Sequence, residues 1–212
     1  MGLLTRMFDA IAYRLDWYWT GHVDWMAFNF FLAILPIALA VPLFHQGTRR
    51  TPLWFVGFGL FLLLLPYTPY VLSDVIHFHA AVASSRSPAR GVIEFAPLYI
   101  LYFGAAVAMY AWTIRRAVPT IVELGRSRVS HRTATWSLHA MAVFGIYVGR
   151  VTRLQAWHPF TDPAVTVDRL HSMCDARMLV IAPTTLLLGG ATWLTLAAFD
   201  RATAITGRLR CT

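Results

Sequence analysis

The sequence predicts an all-α membrane protein. It is a polytopic helix bundle of about five transmembrane helices, with an N-terminal amphipathic interfacial helix and a proline-broken second span. Three observations carry this. Hydrophobic residues make up 58% of the 212 residues and charged residues 13%, where a soluble domain carries about a quarter charged. The apolar residues fall in blocks of roughly 18 or more, the length that crosses a hydrocarbon core. The acids then lie almost entirely on one alternating set of the connections between those blocks.

The chain is one domain, 1–212, with no Gly/Ser linker, low-complexity tract or internal repeat. Residues 1–24 form the interfacial segment. Leu4, Phe8, Ile11 and Leu15 recur at helical spacing, with Arg6, Asp9 and Asp16 off that stripe, as in a helix lying along the membrane surface. Trp17, Tyr18, Trp19 and Trp25 follow and suit an interfacial aromatic belt. The expected spans lie near 25–43, 53–72, 95–114, 136–154 and 178–199.

Within the first span stands Asn29, the sole asparagine of the chain. An amide in hydrocarbon needs a partner. The second span runs unbroken from Leu53 to Leu65, about 20 Å at 1.5 Å per residue, before Pro66 and Pro69 interrupt it. Each proline lacks an N–H and disrupts the carbonyl four residues earlier. Asn29 is therefore expected to bond backbone groups freed near Pro66 and Pro69. In the fourth span, Gly145 and Gly149 are four apart, a spacing that lets helices approach closely. Internal packing is the expected use.

The net charge is +8 and the pI about 10.2. In a soluble protein that balance suggests nucleic acid, but the positive-inside rule explains it here, and no nucleic-acid partner is expected. One set of connections (44–52, 115–135 and the tail from 200) holds Arg49, Arg50, Arg115, Arg116, Arg126, Arg128, Arg132, Arg201, Arg208 and Arg210, against only Glu123 and Asp200. The other set (the N-terminal segment, 73–94 and 155–177) balances its arginines with acids. The arginine-rich face is expected in the cytoplasm, with the N-terminus outside and the C-terminus cytoplasmic. Cys174 and Cys211 then lie on opposite faces, out of disulfide reach.

Two constellations on the acid-bearing face carry candidate chemistry. The first runs from Tyr70 through Asp74 and His77 to His79. On a helix, Asp74 and His77 share a face. A His/carboxylate pair can hold a divalent metal or move a proton. The second contains Arg150, Arg153, Trp157, His158 and Asp162. Two guanidiniums one turn apart clamp a phosphate or carboxylate, or Arg150 pairs with Asp74 across the bundle. His77, His79, His158 and Asp162 are the candidate metal ligands, although no resident cofactor is required. Motifs for phosphate loops, zinc proteases and serine hydrolases are missing.

Three segments resemble an uncharacterised bacterial membrane family, the domain of unknown function 1361. They are Trp25 to Pro36 around Asn29, Leu65 to His77 around Pro66, Pro69, Tyr70 and Asp74, and Gly145 to Trp157 around Arg150 and Arg153. The resemblance implies several membrane helices in a bacterial plasma membrane and no established activity. It marks Asn29, Asp74, His77, Arg150 and Arg153 together. The chain departs from the family pattern at Tyr67, Gln155, Ala156 and His158. The expected role is binding at an extracytoplasmic polar pocket: an anionic lipid headgroup or a partner protein held by Asp74, His77, Arg150, Arg153 and Trp157, with Asn29, Pro66, Pro69 and Tyr70 as structural support. The alternatives are a metal-assisted hydrolase or transferase acting on an envelope lipid, and a structural subunit packed against other membrane subunits.

Overall fold

Serine and threonine residues open the helices at their first free N–H groups, and proline often follows. In the computed structural model, residues 24–45, 47–125, 128–152, 154, 158–171 and 179–209 are described. Among them the structure is helical throughout, with no strand. Helix α1 is Asp24–Leu43. Helix α2, Pro52–Leu64, starts where the Thr51 hydroxyl accepts from the Trp54 N–H with proline in the first turn, a favourable N-terminus. Short α3 (Tyr67–Tyr70) and a 3₁₀ turn (Val71–Asp74) lead into α4 (Val75–Ala83). Helix α5, Pro88–Leu124, is capped by Ser87 and also begins at proline. Helix α6, His131–Tyr147, is capped by Ser130 and continues as a π-helical turn, Val148–Thr152. Two short helices, α7 (His158–Thr161) and α8 (Pro163–His171), precede α9, Ile181–Leu209.

Three stretches among the described residues are long and apolar enough to cross a membrane: Asp24–Leu43, Pro52–Ala83 and Pro88–Leu124. Between 22% and 28% of each apolar window is buried inside the protein. The remaining apolar surface, including Phe28, Phe31, Phe55, Leu60, Ile100 and Leu101, is what lipid would cover.

The boundaries differ from those expected at several places, and two of them bear on the site. The connection expected at 73–94 is largely helix, because the chain resumes helical geometry after Pro66 and leaves only the segment around 84–87 between α4 and α5. The third span extends beyond 95–114 at both ends, since hydropathy registers only its apolar middle whereas the Ser87–Pro88 cap sets its start. The expected interfacial helix, Arg153, Trp157, Cys174 and Cys211 lie outside the described residues.

Neighbouring helices run antiparallel in a register that can be followed side chain by side chain. The Trp54 indole N–H donates to the Leu43 carbonyl at 2.9 Å, the Thr68 hydroxyl to the Ala33 carbonyl at 2.9 Å, and the Trp25 and His77 rings meet at a tilt with centroids 4.4 Å apart. Helix α6 crosses the proline break itself. A Cβ at Gly145 would lie 2.3 Å from the Pro66 Cγ, and one at Gly149 would lie 3.2 Å from the Tyr70 ring. Both glycines therefore serve packing within the chain. Near the opposite end, a Cβ at Gly189 of α9 would lie 2.6 Å from the Trp136 ring of α6. The larger core gathers around Phe44, Trp54, Phe61, Leu65, Tyr110 and Ile114, with Leu138 and Val143 of α6.

Because the Pro66 ring cannot give way along its own backbone, Gly145→Ala should cost about 1–3 kcal/mol by overpacking. Gly104→Ala, with nothing within 4 Å of the added carbon, should leave the chain as stable or slightly more so. Thermal unfolding of both variants in detergent checks this; equal effects would contradict the close contact.

Candidate functional site

A carboxylate is hard to keep away from water, and Asp74 is completely buried. It ends the 3₁₀ turn that follows Pro66 and Pro69, so the break in the second span is what turns it inward. Three helices supply its partners. From α1, the Asn29 amide donates to Oδ2 at 2.9 Å. From α5, the Tyr102 hydroxyl donates to the same oxygen at 3.0 Å. From the π-helical turn after α6, the Arg150 guanidinium bonds and ion-pairs with Oδ1. Both oxygens are thus satisfied, as a buried carboxylate requires.

Arg150 is fixed on two further sides. Its Nε–H donates to the Ser73 hydroxyl at 2.7 Å, and that hydroxyl donates on to the Tyr70 carbonyl. The guanidinium carbon lies 4.6 Å from the centre of the Tyr70 ring, a cation–π distance. The Arg150 side chain nevertheless keeps 28% of its exposure while Asp74 keeps 1%. The pair therefore has one closed partner and one that reaches the surface. The π-helical turn carries Arg150, and such turns are frequent at functional sites.

Of the residues singled out from sequence, Asn29, Asp74 and Arg150 meet, with Tyr70 beside them. Asn29 reaches the Asp74 carboxylate, in place of the backbone expected near Pro66. The contact at the break is made by Thr68, whose hydroxyl takes the Ala33 carbonyl. His77 shares the chain segment with Asp74 but turns to the Trp25 ring. His77, His79, His158 and Asp162 do not form the expected metal cluster: among the described residues no three His, Cys, Asp or Glu side chains gather where one ion could be held. The reason is local. His77 and His79 are exposed on α4, while Asp162 caps α8, its Oδ1 accepting from the Val165 N–H at 3.1 Å.

Two members of the site were not read from the sequence. Ser73 carries no distinguishing signal. Tyr102 does, because a phenol in the middle of a span needs an acceptor. The same rule covers another buried polar contact, Tyr110 to His139 Nδ1 at 2.9 Å, which joins α5 to α6.

Beside the ion pair lies a cleft of about 440 Å³ between the broken second span and α6. Leu62, Leu63, Phe144 and Val148 line its body, and Tyr70, Gly149, Leu154 and Thr166 line the end next to Arg150. It is apolar along most of its length and meets the Arg150 platform at Tyr70.

Losing a hydrogen bond to a charged group costs about 1.5–3 kcal/mol. Asn29→Leu should lower the unfolding temperature in detergent accordingly, and Tyr102→Phe should do so to a similar or smaller extent. Melting curves that match wild type would show that neither donor supports Asp74.

No curated protein and no solved structure matches the chain. One family does, over residues 28–189, with the description "Protein of unknown function (DUF1361)". That stretch includes Asn29, the proline break, Asp74, Tyr102 and Arg150, and covers most of the sequence; the chain belongs to the DUF1361 family.

Proposed function

We propose that the chain is a five-span protein of the bacterial plasma membrane that binds an anionic lipid. Its acyl or isoprenoid chain occupies the cleft, and its headgroup sits beside Arg150 at the extracytoplasmic end. The single observation that carries this reading is the continuity of the apolar cleft with the Arg150–Tyr70 platform. An apolar groove favours a hydrocarbon chain, and the partly exposed Arg150 guanidinium against Tyr70, which lines the groove, favours a negative headgroup.

The five crossings are supported by α6 with its π-helical turn, His131–Thr152, and by α9, Ile181–Leu209. The first would rise about 33 Å at 1.5 Å per residue, enough for a hydrocarbon core. The orientation rests on arginine: Arg49, Arg50, Arg115, Arg116, Arg128 and Arg132 flank the ends opposite Asp74, and the positive-inside rule assigns those ends to the cytoplasm. The N-terminus is then outside. Asp74 acts as the positioning group that holds Arg150 toward the headgroup. A structural role through the Gly145/Gly149 face is disfavoured, because Pro66 and Tyr70 already occupy it.

Gly59 lines the cleft and has nothing within 4 Å of an added Cβ. Gly59→Phe should therefore fill the cleft without straining the bundle. Native mass spectrometry of protein purified in mild detergent should show less retained anionic lipid for Gly59→Phe than for wild type, at an unchanged unfolding temperature. Equal lipid retention would contradict the proposal.

A further inference from the structure

The opposite end of the bundle holds a second cavity, of about 420 Å³, whose chemistry is different. One wall is the last turns of α5, where Arg116, Pro119, Thr120 and Glu123 fall at helical spacing on one face and Arg115 flanks them. The facing wall is the connection from α1 to α2, with His45, Thr48 and Arg50. Three arginines thus face a cavity containing a single carboxylate. Glu123 ion-pairs with Arg50, and the lining as a whole carries more guanidinium than carboxylate.

The connection reverses at Gly47, whose φ of +81° is readily adopted by glycine. The Thr48 hydroxyl closes the turn onto the His45 carbonyl at 2.8 Å. At the base, the Trp54 indole N–H is held by the Leu43 carbonyl. The Arg116 guanidinium stands 5.2 Å from the Trp112 ring, a contact that restricts where its charge can lie. Trp54 stands in the first turn of α2 and Trp112 one turn before Arg115 and Arg116 on α5, and indoles favour the membrane–water interface, where lipid phosphates lie.

We infer that this cavity is an anion site for a phosphate group, formed by Arg115 and Arg116 with Arg50 and His45 around it. One arginine fork saturates a carboxylate, whereas a phosphate offers enough oxygens and charge for several guanidiniums at once. The phosphate comes either from a lipid headgroup of the adjoining leaflet or from a free phosphate in the aqueous phase. The site lies at the far end from Arg150 and does not depend on the lipid cleft.

The test is thermal unfolding of the full chain in nonionic detergent. Inorganic phosphate or a soluble short-chain phosphatidic acid is added, each against chloride at equal ionic strength. Stabilisation by inorganic phosphate identifies a free-phosphate site, and stabilisation by phosphatidic acid alone identifies a headgroup site. In both cases Arg115→Gln/Arg116→Gln should weaken the apparent affinity by about tenfold or more, as expected for lost charged hydrogen bonds. Thr120→Glu, which adds a carboxylate to the cavity, should do the same if the double variant proves unstable. Arg86→Gln/Arg90→Gln, an equal charge change on exposed residues at the Asp74 end, should leave the affinity unchanged. No stabilisation by either probe, or equal weakening in both arginine double variants, overturns the inference.

Discussion

One buried carboxylate sets the arrangement of this bundle. Asp74 has no exposure, and its two oxygens are met by donors from three separate parts of the chain. In a low-dielectric surrounding the charge attracts its partner strongly, but burying it costs nearly as much, so the pair adds little net stability. What it enforces is register. If α1, α5 or the turn after α6 slid by one residue, a donor would leave Asp74 and the penalty for an unsatisfied buried charge would appear.

The proline break and the ion pair are parts of one device. Pro66 ends the regular helix, and the chain passes through α3 and a 3₁₀ turn before α-helical geometry resumes at Val75. That detour orients Ser73 and Asp74 toward Arg150. Gly145 lets α6 approach the Pro66 ring, and three residues later the helix widens into a π-helical turn that delivers Arg150. The same departure from straight helix packing leaves the cleft between the second span and α6.

Much of this was legible in the sequence, for identifiable reasons. Charges within spans are rare and must pair, which made Asp74 and Arg150 natural partners. Gly145 and Gly149 announced close packing through their spacing. The acceptor of Asn29 was not legible, because it stands 45 residues away and backbone groups freed by proline compete as candidates. Tyr102 signals only that an acceptor is needed, and its position along the chain does not say that the acceptor is Asp74. The helix over Val75–Ala83 was read as connection because its histidines and the polar residues after it lower the local hydropathy. The histidines suggest a metal cluster through residue type and local spacing, and spacing along a chain does not show whether such side chains gather at one point.

The central claim is that Asp74 and Arg150 are coupled. A double-mutant cycle with Asp74→Asn and Arg150→Gln, read by unfolding in detergent, measures that coupling directly. Arg150→Gln, which leaves the buried Asp74 charge without its counter-ion, should cost about 3–5 kcal/mol, and Asp74→Asn, which leaves the partly exposed guanidinium, should cost less. The combined variant should lose much less than the sum of the two, with a coupling of about 1 kcal/mol or more. Additive losses would show that the two residues act separately and would contradict the account.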